Sequence, residues 1–192
     1  LLAKKTTCRL RNLLFDTAPI PRPDYFSRAA AAQGVSVSYQ GGILCVRLPR
    51  LLPKKRQKSS TAYLLPPLQA ALDSFCKAHP FPLFGRCVVC VEHVYDAALL
   101  RFQMRDYDNL QLKPVLDMVA LYAMQDDSGS LCDLYQTSCL EYEPCTRVTV
   151  LPPDAFLRWL KDHGKVSNTL SENHSILPQT SPTAAQVPPA PL

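Results

Sequence analysis

The sequence lacks the features that mark several large classes of protein. No apolar run approaches the roughly 20 residues that a membrane-spanning helix needs. There is no secretory leader with a charged end and an apolar middle. With six glycines against 18 prolines, the chain contains neither a P-loop nor a glycine-rich dinucleotide fingerprint, and no Ser-His-Asp set is recognisable. These absences favour a cytoplasmic protein, although a chain that begins at Leu1 and not at methionine is typical of a fragment.

Acidic residues are nearly missing from the first third of the chain. Residues 1–63 contain twelve Lys and Arg against two Asp, whereas residues 64–192 contain nine Lys and Arg against 14 Asp and Glu. A chain with this polarity is expected to hold phosphate with one part and a metal ion with another.

The cysteine spacing disfavours a zinc site. Cys87 and Cys90 form the only CxxC pair, inside an apolar run that is typical of a buried strand. Residues three apart on a strand point to opposite faces, so the pair could not share one ion. We therefore interpret the cysteines as small core residues, which stay reduced in the cytoplasm.

The apolar periodicity predicts an α+β fold, in which a mixed or antiparallel sheet is packed by helices. Strands are predicted over residues 35–39, 43–48, 84–95, 131–138 and 146–151, and helices over residues 24–33 and from near 66, 113 and 153. We divide the chain into an N-terminal helical extension (1–34), one domain (35–164) and a disordered tail rich in Ser, Thr and Pro (165–192).

A basic segment without any acid follows the first predicted hairpin. Its six cations are Arg47, Arg50, Lys54, Lys55, Arg56 and Lys58. Lys and Arg at this density neutralise phosphates and release counterions, so the segment is predicted to be a DNA-binding arm. The alternative is a solvated loop that only keeps the protein soluble.

Carboxylates cluster on both sides of the helix predicted near residue 113. Asp106 and Asp108 would share a face of an extended chain, and a helix that folds back would return Asp126 or Asp127 to Asp106. Carboxylate oxygens suit Mg²⁺, so the cluster predicts metal-assisted chemistry on nucleic acid. Taken singly, each segment also fits helix capping and turn chemistry.

These residues resemble the RusA-like endodeoxyribonucleases, which resolve Holliday junctions. The resemblance covers roughly residues 43–151 and is carried by Pro53-Lys54-Lys55-Arg56, Asp106-x-Asp108-Asn109-Leu110, Lys113, Asp117 and Asp126-Asp127. Through these segments and Cys87 to Asp96, the chain also resembles an uncharacterised RusA-related group on mobile elements of gut bacteria.

The resemblance implies a small RusA-like domain that acts as a homodimeric, Mg²⁺-dependent endonuclease on branched DNA in recombination and repair. It implies Asp106, Asp108 and Asp127 (or Asp126) as magnesium ligands, and Lys113 as the residue that assists catalysis. Lys113 comes five residues after Asp108, one more than the family spacing, and the N-terminal extension is a second departure. The alternative is therefore a non-catalytic RusA-like protein that binds DNA or a partner.

Overall fold

A computed structural model describes residue 28 and residues 30–55, 63–98 and 104–172, with side chains as far as residue 163. Within these residues a five-stranded mixed sheet is packed by helices, which confirms the predicted α+β class. In chain order the elements are β1 (Ser36–Gln40), β2 (Ile43–Leu48), α1 (Leu65–Ala78), β3 (Cys87–Asp96), a 3-10 turn (Tyr107–Asn109), α2 (Lys113–Ala123), β4 (Cys132–Glu141), β5 (Cys145–Leu151) and α3 (Pro153–Glu172).

The hairpin of β1 and β2 forms where the sequence predicts it. Gly41 and Gly42 both have positive φ, at 57° and 80°. A two-residue hairpin turn needs this conformation at both positions, and glycine adopts it without steric cost.

The order of the strands differs from the order of the sequence. The sheet runs β1-β2-β5-β3-β4. β5 pairs antiparallel with both β2 and β3, whereas β4 pairs parallel with β3. β4 and β5 therefore run in opposite directions, as expected, but β3 lies between them.

Both faces of the sheet are covered. The first face contributes Leu44, Val46, Val89, Val91, Val148 and Val150 to a core shared with Leu68 and Leu72 of α1 and with Val115 and Val119 of α2. On the second face, Val88 and Cys90 pack with Trp159 of α3. β3 is buried on both faces, which explains why its sequence is apolar almost throughout.

The CxxC pair is split between these faces, as its strand spacing predicts. Cys87 belongs to the core of the first face and Cys90 to that of the second. Burial raises the pKa of each thiol to about 12. Both thiols are therefore protonated at neutral pH and act as small core side chains.

The two predicted terminal segments fall largely outside the described residues. In the N-terminal extension, residues 30–32 are helical and Gly34 ends the turn with a φ of 76°. The predicted tail begins at residue 165, whereas α3 continues through Gly164 to Glu172. One glycine costs a helix only about 1 kcal/mol, and the next proline is Pro178. Residues 99–103 and 173–192 also lie outside the described ranges.

A charged cluster is built into the second face. The guanidinium group of Arg147 in β5 donates a hydrogen bond to the Glu92 carboxylate of β3 at 2.8 Å. Both of its terminal nitrogens also donate hydrogen bonds to the Glu141 carboxylate of β4. The Glu92 side chain is only 6% exposed. The hydrogen bonds to Glu141 and Glu92 raise the pKa of Arg147 above its usual range. One arginine thus neutralises carboxylates from two other strands.

Replacing Arg147 by methionine should destabilise the fold strongly. The substitution leaves Glu92 buried without its cation, which costs about 3–5 kcal/mol. Urea denaturation measures this loss in the free energy of unfolding. The matched control is Arg47→Met, which breaks the exposed pair with Glu143 and should cost about 0–1 kcal/mol. Equal losses of unfolding free energy in Arg147→Met and Arg47→Met would contradict the role assigned to Arg147.

Candidate functional site

We refer to residues 104–110, which carry Asp106 and Asp108, as the motif loop. This loop lies against the end of β3. The Tyr107 ring stacks on the buried His93 ring with centroids 5.4 Å apart, and the Tyr107 hydroxyl accepts a hydrogen bond from Ser138 at 3.1 Å. The backbone N–H of Arg105 donates to the Tyr95 hydroxyl at 3.0 Å. These contacts fix the position of Asp108 relative to the sheet.

A short backbone pairing joins this loop to the basic segment. Lys54 and Leu110 form an isolated antiparallel bridge. The N–H of Lys55 donates to the carbonyl of Asn109 at 2.7 Å, and the N–H of Gln111 donates to that of Pro53 at 2.8 Å. The two segments singled out in the sequence therefore lie side by side.

Helix α2 begins with proline in its first turn, as predicted. The Lys113 ammonium group lies 2.9 Å from a carboxylate oxygen of Asp117, one turn along the helix. This hydrogen bond raises the pKa of Lys113. After α2, the N–H of Gln125 donates to the carbonyl of Phe84 at 2.9 Å. That contact turns the chain back, so that Asp127 lies at the edge of the first face.

These elements enclose a cavity of about 630 Å³ between α2 and the first face at β4. Its walls are mainly apolar, and five charged side chains line it as well. The lining residues are Lys55, Val89, Tyr107, Asp108, Leu110, Leu112, Lys113, Leu116, Asp117, Val119, Ala120, Met124, Asp127, Cys132, Leu134 and Gln136. We refer to this space as the apolar cavity.

The structure brings together some of the predicted catalytic residues and separates others. Asp108, Lys113 and Asp127 line the apolar cavity, whereas Asp106 and Asp126 do not. The Asp126 carboxylate accepts hydrogen bonds from Ser128, which lower its pKa. Asp106 precedes the 3-10 turn and lies 3.5 Å from the side-chain amide of Asn109. These two carboxylates serve local turns.

The predicted magnesium ligands Asp106, Asp108, Asp126 and Asp127 all lie in the described part of the chain. No group of three or more His, Cys, Asp or Glu side chains is arranged there to hold a metal ion. Binding of Mg²⁺ to Asp106, Asp108 and Asp127 (or Asp126) stays a prediction, which a titration followed at their amide signals would test.

The basic segment is divided between two places. Lys55 reaches the apolar cavity, whereas Arg47, Arg50 and Lys54 line a second concavity at the end of the sheet. Arg56 and Lys58 lie outside the described residues.

The apolar walls of the cavity were missed by reasoning from the sequence. Leu116, Val119 and Ala120 of α2 and Leu134 of β4 have the spacing of ordinary core residues. Leu134 nevertheless is 48% exposed. Leu134 differs from an ordinary core residue only in its position on the last strand of the sheet, and local sequence does not determine strand order.

The chain belongs to the family DUF6100, described as a family of unknown function, which matches residues 1–174. No curated protein matches the chain. Among solved structures, it is similar to the periplasmic domain of Helicobacter pylori MotB, at 12% identity and a TM-score of 0.38, covering 71% of this chain and 90% of that one.

Two further structures are similar at the same low level. One is a MotB-like protein from Desulfovibrio vulgaris, with 10% identity, a TM-score of 0.35, and coverage of 78% of this chain and 99% of that one. The other is the cell wall anchor of the T6SS from Pseudomonas aeruginosa, with 14% identity, a TM-score of 0.38, and coverage of 69% and 99%. At these values the matches assign no function to this chain.

The comparisons overturn the resemblance to RusA-like resolvases. The family whose model matches residues 1–174 is a different one. The expectations of branched-DNA cleavage, of non-catalytic DNA binding, of a role in recombination or on a mobile element, and of a homodimer on DNA are therefore wrong. The cytoplasmic expectation is corrected as well, because it rested on features absent from the sequence, and such absences do not locate a protein.

The physical reason for the error is that the motif is short and its parts have ordinary uses. Asp106 and Asp126 serve turns, and Lys113 forms an ion pair with Asp117.

Among the described residues, no helix is both long and apolar enough to cross a membrane.

His93 makes the contact between the motif loop and β3 sensitive to pH. Its side chain is fully buried, its Nε2 lies 3.4 Å from the Gln136 carbonyl oxygen, and its Nδ1 has no hydrogen-bond partner among the described residues. Burial lowers the pKa of His93 below 6.5, the value expected in the unfolded chain. The unfolded state therefore binds the proton more readily, and stability present above pH 6.5 is lost as the pH falls towards the folded-state pKa.

The variant His93→Phe should reduce this pH dependence, because phenylalanine keeps a ring beneath Tyr107 and cannot be protonated. Between about pH 7 and pH 5, its free energy of unfolding should fall less steeply than that of the wild type, by at most about 1.4 kcal/mol per pH unit. Urea denaturation at several pH values measures both slopes. The exposed His79, replaced by glutamine, is the control and should leave the slope unchanged. Identical slopes for wild type and His93→Phe would refute the prediction.

Proposed function

We propose that this member of the DUF6100 family is a protein-binding module. An extended segment of a partner protein pairs with the outer edge of β4 and places an apolar side chain in the apolar cavity. The observation that carries the proposal is that the edge strand and the cavity wall are the same strand. Cys132, Leu134 and Gln136 of β4 line the cavity, and β4 is the last strand of the sheet.

The outer edge of β4 offers backbone groups for pairing. The strand is ten residues long, and among the described residues it pairs only with β3. An edge strand of this length presents a row of free N–H and C=O groups, to which an extended peptide adds as one more strand. Backbone pairing gives affinity without demanding a particular sequence.

The cavity supplies the sequence preference. On an added strand, alternate side chains would point to the first face, where Leu134 is already half exposed. A volume of about 630 Å³ lies within the range of about 300–1,000 Å³ that is typical of ligand pockets. Burying a large apolar side chain stabilises a complex by about 1.5–3 kcal/mol.

The charges at the cavity favour a cationic neighbour of the apolar anchor. Of the five charged lining residues, Lys113 and Asp117 neutralise each other at 2.9 Å. The lining contains two cations, Lys55 and Lys113, against the three carboxylates of Asp108, Asp117 and Asp127, which leaves a net negative cavity. A lysine or arginine beside the apolar side chain complements this charge.

Selection of random twelve-residue peptides displayed on phage, with the full chain as bait, tests the proposal. We expect the selected peptides to alternate apolar and polar residues, with a Lys or Arg near the apolar anchor. Their dissociation constants, measured by fluorescence polarisation, should rise at least tenfold with Leu134→Glu. A tenfold rise corresponds to about 1.4 kcal/mol.

Two matched controls accompany this measurement. Leu157→Glu changes a leucine of α3 that is 68% exposed and distant from the cavity lining, and it should leave binding unchanged. The charge change Asp108→Asn with Asp127→Asn should weaken binding about tenfold, whereas Asp154→Asn with Asp162→Asn should not. N-methylation of the peptide at the residues whose N–H groups face β4 should abolish binding. Peptides insensitive to Leu134→Glu and to N-methylation would disprove the proposal.

A further inference from the structure

A second concavity lies at the end of the sheet where β2 ends and β5 begins. It has a volume of about 700 Å³ and is lined by cations from two separate segments: Arg47, Arg50 and Lys54 in and after β2, and Arg105 from the motif loop. The aromatic rings of Tyr63 and Tyr142 also line it. We call this concavity the basic groove.

Among the described residues, one of the four cations is paired with a carboxylate and three are not. Arg47 lies 3.1 Å from a carboxylate oxygen of Glu143, the single acidic residue of the groove lining. No carboxylate of the described residues forms an ion pair with Arg50, Lys54 or Arg105. The groove therefore concentrates three positive charges that the described fold does not balance.

The Arg105 side chain is held in place from below. Its guanidinium donates to the carbonyl of Leu52 at 2.6 Å, and its backbone N–H is bound by the buried hydroxyl of Tyr95. Burial raises the pKa of Tyr63, and the positive charges of Arg50 and Arg105 oppose that rise. The two guanidinium groups thus act on the same region of the groove. A side chain held in this way loses little freedom when it binds a ligand.

We infer that the basic groove binds a small molecule that carries a phosphate or carboxylate group. Two arginines match the planar, forked hydrogen bonding of these oxyanions, and Lys54 adds a point charge. The cations converge in a concavity instead of following a surface stripe, as they would along a nucleic-acid backbone. This geometry suits a compact multivalent anion.

The groove is separate from the proposed peptide site. None of the residues that line the groove lines the apolar cavity. Failure of the peptide proposal therefore leaves this inference standing, and the reverse holds as well.

Isothermal titration of the full chain tests the inference, with pyrophosphate and citrate as probes at an ionic strength of about 0.1 M, where long-range attraction is screened. We expect at least one probe to bind with a single-site isotherm. The double variant Arg50→Gln, Lys54→Gln should weaken that binding at least tenfold. Both side chains are exposed, so their replacement should preserve the fold, which circular dichroism checks.

The double variant Arg158→Gln, Lys161→Gln is the matched control. It removes the same two charges from exposed positions on α3 and should change the affinity less than twofold. Tighter binding of pyrophosphate identifies phosphate as the recognised group, and tighter binding of citrate identifies carboxylate. Absence of binding by both probes, or equal losses in the two double variants, would overturn the inference.

Discussion

The parallel pairing of β3 with β4 is the constraint on which the rest of the structure depends. Parallel neighbours cannot be joined by a tight turn, so the chain must return along the sheet before β4 begins. The chain between β3 and β4 makes this return, and its described part, residues 97–98 and 104–131, contains the motif loop, α2 and the turn with Asp126 and Asp127. Asp108, Asp117 and Asp127 line one cavity, and all three belong to this crossover. The same pairing leaves β4 as the last strand, with the cavity at its side.

The two faces of the sheet are stabilised by different interactions. The first face buries a continuous apolar core beneath α1 and α2. The second face combines a small apolar cluster around Trp159 with the ion pairs of Arg147. These pairs join β5, β3 and β4 through side chains that lie across the strands, and they disfavour other registers because a shift would leave Glu92 buried and unpaired. Hydrophobic packing and charge pairing thus fix the same strand order from opposite sides.

Local features of the fold could be predicted from the sequence, and non-local ones could not. Gly41 and Gly42 indicated the hairpin, and Pro114 indicated the start of α2, because each acts through its own backbone. The insertion of β5 between β2 and β3 depends on pairing between distant segments and leaves no local pattern. For the site, the sequence predicted that a helix folding back would return Asp126 or Asp127 near Asp106, whereas the structure places Asp108 and Asp127 in the lining of one cavity. Local sequence could not show that Asp106 and Asp126 lie outside this lining, and the short motif therefore suggested the wrong family.

The backbone pairing of Lys54 with Leu110 is also a partition between two spaces. Lys54 and Arg105 line the basic groove on one side, while the adjacent Lys55 and the nearby Asp108 line the apolar cavity on the other. The wall is two short segments wide and is held by two backbone hydrogen bonds, one on each side of the bridge. A ligand that shifts this wall from one side changes the shape of the other side. Thermodynamic linkage then requires each ligand to alter the affinity of the other by the same factor.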